Sequence, residues 1–271
     1  MFMDLALSRR LERLESVVST TFSETNQRTA PELGHRWHDF DGTYAIFDGA
    51  DSPMTQTFGL GLFDPATPQQ LAAIEAFFTE RGADTMHEVS PLSGIECSAL
   101  LAERGYRPHE LSTVLVQSLD ALLDVPISDL RVRIADTGDH PAWIETSVSG
   151  WAADPLFAPV MRSMATTAAA NHAMVHFLVE RDGAPIATGS LGMHDGVAML
   201  AGASTIPSGR GLGAQAMLLA ARLAEARRRG CDLAMMVTAP GSTSQRNAER
   251  RGFRVAYTRT KWRLPRVSAG A

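Results

Sequence analysis

The sequence predicts an α+β (mixed α/β) protein made of two tandem domains, each a mostly antiparallel twisted sheet flanked by helices. Two observations predict it. The first is an internal repeat. One half reads Leu71-Ala-Ala-Ile-Glu-Ala-Phe-Phe-Thr-Glu-Arg-Gly82, then Met86-His-Glu-Val, then Ala102-Glu-Arg-Gly105-Tyr106. The other reads Leu218-Leu-Ala-Ala-Arg-Leu-Ala-Glu-Ala-Arg-Arg-Arg-Gly230, then Met235-Met-Val, then Ala248-Glu-Arg-Arg-Gly252-Phe253. Gly82 to Gly105 spans 23 positions and Gly230 to Gly252 spans 22. Each half therefore reads as helix, Gly stop, strand, helix, Gly-aromatic turn, strand. The second observation is turn chemistry: Asp182-Gly183 and His194-Asp195-Gly196 sit between apolar runs and join successive strands antiparallel. The two halves also differ in charge. Residues before 126 carry 8 Lys/Arg and 19 Asp/Glu, net −11, whereas the remainder carries 17 and 11, net +6.

In chain order, residues 4–20 predict a helix with Leu5, Leu11, Leu14 and Val17-Val18 on one side, covering the first domain. The repeat unit follows. Val125-Pro126 marks a boundary, which divides the chain into domains 1–125 and 126–271. Leu130–Ala135 then predicts a strand, and Asp139–Gly150 and Leu156–Asn171 predict helices. Ala173–Glu180, Pro185–Met193 and Val197–Thr205 read as strands, Gly213–Arg229 as a helix and Leu233–Thr238 as a strand. Ser242–Arg251 reads as a helix and Arg254–Trp262 as a last strand. Antiparallel connections dominate, so a doubly wound sheet is not expected.

A hydrophobic fraction of 45% in 271 residues supplies a core and argues against disorder. No apolar run is long enough to span a bilayer, and the N-terminus does not read as a signal peptide, its charges following the apolar residues. Two cysteines, Cys97 and Cys231, make no disulfide framework. A cytoplasmic protein without membrane association is expected, as a monomer or homodimer. The basic second half suggests an anionic ligand. It lacks a dense Lys/Arg run interleaved with aromatics, so a small polyanion is preferred to nucleic acid.

The informative segment is Ala201-Gly-Ala-Ser-Thr-Ile-Pro-Ser-Gly-Arg210-Gly-Leu-Gly213-Ala-Gln215, a strand entering a Gly-rich loop and then a long helix. Free N–H groups at a helix start attract anions, and glycines let the backbone close around phosphate oxygens. Arg210 adds a charge-assisted donor. A pyrophosphate is the natural occupant. Gly211, Gly213 and Ala216 formally match Gly-x-Gly-x-x-Ala of dinucleotide sites, but Pro207 and Ser208 interrupt the strand and Asp232 precedes the next one. No Walker Lys-Ser/Thr is present. Gly202 inside the strand suggests a bulge. In the helix, Leu212, Ala216, Leu219, Leu223 and Ala226 should face the sheet, with Arg222, Glu225, Arg228 and Arg229 solvated.

Arg210-Gly-Leu-Gly213-Ala-Gln215 resembles motif A (Gln/Arg-x-x-Gly-x-Gly/Ala) of the GNAT (Gcn5-related N-acetyltransferase) superfamily, matching at Arg210 and Gly213 and departing at Gln215. A register starting at Ser208 uses Gly211 and Gly213 but loses the Arg. The resemblance spans residues 130–263 and includes Ala248-Glu-Arg-Arg-Gly-Phe253; the first half resembles a degenerate copy, with Phe63-Asp-Pro-Ala-Thr-Pro-Gln-Gln70 where motif A should lie. It implies acetyl-CoA as co-substrate, without a metal, and one working site. The strand before the loop should splay from its neighbour and offer main-chain contacts at Ala203, Ser204 and Thr205. Arg210, Gly211, Leu212, Gly213, Ala214 and Gln215 should hold the pyrophosphate, with Ser244 and Asn247 as further cofactor contacts. Ser242 is read as a helix N-cap.

The resemblance implies direct transfer of an acetyl group to an amine, by attack in a ternary complex on a small-molecule acceptor. The acid–base groups are not identified. The family's frequent Tyr is replaced by Ala248 and its Asn by Gly241, and Val197–Thr205 holds no Asp or Glu. His172 and His176 lack the Glu of a His-Glu-x-x-His site and are read as structural, and His194 as a turn residue. The acceptor region holds Trp143, Trp151, Asp154, Phe157, Met161 and Met164, of which Trp151 and Asp154 are the substrate candidates. Two other readings stay open, a non-catalytic acyl-CoA-binding module and a pyridine-nucleotide enzyme.

Overall fold

The computed structural model describes residues 3–120, 129–151 and 158–266. Within them the chain runs α1 (Leu5–Thr29), β1 (Arg36–Phe40), β2 (Thr43–Phe47), β3 (Gln56–Phe58), α2 (Pro68–Thr79), β4 (Thr85–Val89), α3 (Gly94–Glu103) and β5 (Arg107–Ser118). It continues with β6 (Arg131–Ile134), α4 (His140–Trp151), α5 (Ala158–Ala170), β7 (Val175–Arg181), β8 (Ala184–His194), β9 (Val197–Thr205), α6 (Ala214–Arg228), β10 (Leu233–Thr238), α7 (Thr243–Arg250) and β11 (Arg254–Leu264). This is the expected α+β class with mostly antiparallel pairing.

The repeat is visible in its helix ends. Gly82, Gly105, Gly230 and Gly252 all adopt positive φ, between 66° and 94°, where a Cβ is disfavoured. After α2 the Ala83 N–H reaches Phe78 O, and after α6 the Cys231 N–H reaches Ala226 O. Tyr106 to Leu101 O and Phe253 to Ala248 O repeat the pattern after α3 and α7. Each helix is thus closed by the same left-handed cap, which satisfies carbonyls left over at its end. The hairpin turns behave alike, with positive φ at Asp182, Gly183, Asp195 and Gly196.

Two compact units form, residues 1–116 with 237–271 and residues 117–236. The boundary expected at Val125-Pro126 lies outside the described residues. The segment 237–271, expected with the second domain, is compact with the first unit instead. In that unit β11 lies between β4 and β5, antiparallel to both, in the order β1-β2-β3-β4-β11-β5. The last strand is thus interior to the sheet formed by the first 116 residues.

β11 carries Arg259 into the interior, and this changes what α1 must present. The Arg259 guanidinium meets Glu12 at 3.1 Å, Glu15 at 2.8 Å and Glu88 at 2.9 Å, and Tyr257 donates to Glu12 at 2.7 Å. Burial pushes against the Arg259 charge, but the surrounding carboxylates overcome it and hold the guanidinium well above its ordinary value. Burial likewise pushes Glu12 upward, opposed by Arg259. The apolar stripe expected on α1 is therefore only partly right. Leu11 and Leu14 are buried, Leu5 is exposed, and Ser8, Glu12, Glu15, Ser16, Ser19 and Ser23 join the buried face. The helix also runs on to Thr29.

The second unit has the order β10-β9-β8-β7-β6, antiparallel apart from the β9–β10 pair. Trp143, Val148, Ala165, Ala169 and Leu178 form a core between α4, α5 and β7. Trp143 also donates to the Phe177 carbonyl at 3.1 Å. On α6, a Cβ at Gly189 of β8 would lie 2.8 Å from Leu218 Cδ2, so the helix packs closely there.

Buried ionisable groups generate two predictions. Arg259→Met should lower the unfolding free energy by about 3–5 kcal/mol, because three carboxylates lose their cation in the interior. A urea midpoint barely below wild type would refute it. Two histidines set the acid limit. His87 sits fully buried between Thr57 Oγ1 at 2.6 Å and the Tyr106 hydroxyl at 3.1 Å, and burial holds it at about 3. His176 bonds Ser190 Oγ at 2.9 Å and meets Trp143 edge-on; burial lowers it to about 4. Both are depressed below the ordinary 6.5, so their contribution is complete above pH 6.5 and is lost as pH falls toward 4. The melting temperature should drop over that window, and His176→Gln should flatten the drop.

Candidate functional site

The site grows from β9. Its register with β10 consists of three parallel pairs, Val197 with Leu233, Ala198 with Ala234 and Met199 with Met235. From Leu200 to Thr205 no pair with β10 follows, although both strands continue. The strand thus leaves its neighbour, as the resemblance implies. On its other edge β9 pairs antiparallel with β8, Thr188 opposite Ser204 and Ser190 opposite Ala201. Gly202 and Ala203 therefore oppose Gly189 alone, which is a bulge, and Gly202 takes φ 59°.

The polypeptide then makes a tight turn over Pro207–Gly209, with Arg210 N–H on Pro207 O at 3.3 Å. Gly209 is buried against Ile186, where a Cβ would lie 3.0 Å from the Ile186 Cβ. Gly211 and Gly213 take φ 77° and 84° with open space around the position of a Cβ. Gly213 precedes α6 and no side chain caps the helix. The Ala216 N–H turns back to Gly213 O at 2.9 Å, which leaves the Ala214 and Gln215 N–H groups and the positive end of a 15-residue helix available to an anion. Arg210, Gly211, Leu212 and Gly213 are exposed, and Arg210 makes no ion pair among the described residues.

The equivalent place in the first unit is closed. Thr67 caps α2 by accepting the Gln70 N–H at 3.1 Å, and Pro68 removes one N–H from its first turn. Arg9 of α1 donates to the Leu62 and Phe63 carbonyls, and Arg13 stacks on the Phe63 ring at 4.1 Å. The segment Phe63–Gln70, read as a degenerate motif, is held by the protein's own side chains.

Other expected site residues fall in several places. Ala203, Ser204 and Thr205 lie on the bulged end of β9. Ser204 is buried and its hydroxyl bonds Thr188 Oγ1 at 2.9 Å. Gln215 folds back on the strand, donating to Ser204 O at 3.1 Å and Thr205 Oγ1 at 2.8 Å. Ser244 and Asn247 are exposed on α7, in the first unit, and Ser242 caps that helix by accepting the Gln245 N–H at 3.1 Å. Trp151, 54% exposed, ends α4. Asp154 and Phe157 lie outside the described residues. Ala248 is buried under the Gly252-Phe253 turn. Glu145, a carboxylate of α4, is taken by Arg162. Among the described residues no three His, Cys, Asp or Glu side chains converge as a metal site, and no helix is long and apolar enough to cross a membrane.

The helix face expected to be solvated is partly buried. Arg222 and Glu225 are 3% and 8% exposed, whereas Leu212, expected to face the sheet, is 37% exposed. Arg222 stands three and four residues after Leu219 and Leu218, and that spacing places it on the inner face. Glu225 is held down to about 2 by its hydrogen bonds to Arg228 and Arg229, which screen it. Sequence reasoning also missed Gly150 of α4. A Cβ there would lie 2.7 Å from the Ser204 Cβ and 2.9 Å from the Thr205 N. Gly150→Ala should push α4 away from the end of β9 and lower the unfolding free energy by about 1–3 kcal/mol, read by urea denaturation; an unchanged midpoint would show that the contact gives way without cost.

Comparison with known proteins bears on the fold. Residues 145–253 match the family model described as Acetyltransferase (GNAT) family. No curated protein matches the chain. Among solved structures, a GCN5-related N-acetyltransferase from Kribbella flavida is similar at TM-score 0.64 and 18% identity, covering 93% of this chain and 97% of that one. A tandem GNAT protein from the clavulanic acid biosynthesis pathway is similar at TM-score 0.60 and 13% identity, covering 84% and 83%. A GCN5-related N-acetyltransferase from Sphaerobacter thermophilus is similar at TM-score 0.57 and 17% identity, covering 78% and 73%. The fold is therefore that of GCN5-related N-acetyltransferases, tandem members included.

Proposed function

We propose that this chain, with its GNAT acetyltransferase segment at residues 145–253, is an acetyl-CoA-dependent N-acetyltransferase that acts by direct attack in a ternary complex on a small-molecule amine. The observation that carries the reading is the uncapped, glycine-led start of α6 placed after a strand that has left its neighbour. The helix start suits a pyrophosphate, with Arg210 as the charged donor and Gly211–Gln215 as the cradle. The freed edge of β9 from Ala203 to Thr205 suits the thioester arm.

Transfer then needs little from side chains. The amine lone pair attacks the acetyl carbonyl carbon, negative charge builds on the carbonyl oxygen, and a main-chain N–H stabilises it. The C–S bond breaks, coenzyme A leaves as a thiolate, and the proton lost by the amine returns to sulfur through solvent or a neighbouring group. Trp151, exposed at the end of α4, is assigned to the acceptor.

A non-catalytic acyl-CoA-binding module is the second reading. It is favoured by Ala248, which buries a methyl where a hydroxyl is usual in the family, and by the absence of a carboxylate from β9. Thermal shift and thiol release separate the readings. Acetyl-CoA should raise the melting temperature, Arg210→Ala should reduce that rise, and NADH should give none. Thiol release against a broad amine panel should then identify acceptors. A shift with NADH alone would sink the acetyltransferase reading, and coenzyme A binding with no release across the panel would favour the module.

A further inference from the structure

α6 buries a guanidinium beneath the bulge without any carboxylate to balance it. Arg222 is 3% exposed, and no acidic side chain lies within ion-pair distance of it among the described residues. Its partners are main-chain carbonyls. Nη1 donates to Ser190 O at 3.3 Å and to Ala201 O at 3.4 Å, and Nε donates to Leu218 O at 3.4 Å in its own helix. Ser190 and Ala201 are opposite one another, at the last regular pair before the bulge.

The sequence clears space for this arrangement. Gly189, the residue that faces the bulge, has no side chain. A Cβ there would lie 3.2 Å from Arg222 Nη1 and 3.3 Å from its Cζ. Gly202 opens the bulge with φ 59°, a value that L-residues rarely adopt. Glycine on both strands and a buried cation on the helix meet at one point of β9.

An uncompensated buried charge is costly, and a methionine or leucine would pack there with less penalty. Burial alone lowers the guanidinium to about 10, which leaves it charged at neutral pH. The arrangement is explained if the charge has work to do. The Ala201 carbonyl shares a peptide group with the Gly202 N–H, so a cation on that oxygen draws electron density from the peptide and strengthens the N–H as a donor. A fixed positive charge near a developing oxyanion also stabilises it without reorganisation.

We propose that Arg222 is a positioning residue: by gripping the Ser190 and Ala201 carbonyls it sets the course of the bulged strand that carries Ala203–Thr205 and polarises the Gly202 N–H, which it makes a further main-chain donor to the thioester carbonyl. This rests on the acetyltransferase reading of β9. The charge acts through the backbone, since Arg222 itself is shielded from any ligand.

The test is the carbonyl stretch of bound acetyl-CoA labelled with carbon-13 at the acetyl carbonyl, with affinity measured in the same samples. Wild type should lower the stretching frequency on binding. Arg222→Met, which keeps length and apolar bulk, should lose much of that shift while the Kd stays within about threefold of wild type. Arg222→Lys, which keeps the charge, should retain most of it. Gly189→Ala, whose methyl presses on the guanidinium, provides a second route should Arg222→Met fail to fold, and it should also reduce the shift. An unchanged shift in Arg222→Met or Gly189→Ala overturns the proposal, and so does an equal loss in the Met and Lys variants, which would mean shape alone matters. Wild-type protein that does not bind acetyl-CoA at all would overturn the acetyltransferase reading instead, so the two failures are distinguishable.

Discussion

The second unit is organised around a strand that leaves its sheet. Main-chain polar groups taken out of a ladder must find other partners, or the interior is penalised. β9 stops pairing with β10 after Met199, and α6 answers with Arg222 on Ala201 O and Gln215 on Ser204 O. Gly189 and Gly202 let the opposite edge bulge, and Gly150 lets α4 close on Ser204 and Thr205. The result is a length of backbone braced by two side chains of α6 and closely approached by α4, with the open end of α6 beside it. Precise placement of main-chain donors is what the proposed acyl transfer would require, and the placement seen comes from glycines and two long polar side chains.

The first unit solves a different problem. Its sheet is completed by the last strand of the chain, and that strand brings Arg259 into the core. Three buried carboxylates, two of them from α1, are the response. Such a cluster contributes little net stability by itself, but losing one member leaves the others stranded. α1 is thereby tied to β11, and with Arg9 and Arg13 it also closes the segment that corresponds to the glycine-rich loop of the second repeat. One repeat keeps an open helix start, and the other has Thr67 and Pro68 in its place.

Much of this was legible in the sequence. The four helix stops, the Asp-Gly hairpins, the bulge at Gly202, the Ser242 cap and the glycine-led entry to α6 were all readable, because each is decided by residues within one turn of itself. A glycine with positive φ or a serine before a helix acts through its immediate neighbours, so its effect is local and survives in any fold that uses the segment.

What only the tertiary structure decided is which face of a helix is covered and by what. Arg222 reads as a solvated residue until Gly189 and the carbonyls of Ser190 and Ala201, from two other strands, are brought against it. Glu12 and Glu15 have no place in the apolar stripe read on α1, and they are buried because Arg259, some 244 residues later, is laid beneath them. The grouping of residues 237–271 with the first unit is of the same kind. Burial and charge pairing depend on partners distant in sequence, whereas turns and caps do not. The strand–loop–helix was therefore apparent from the residues alone, and the buried cation that braces it was not.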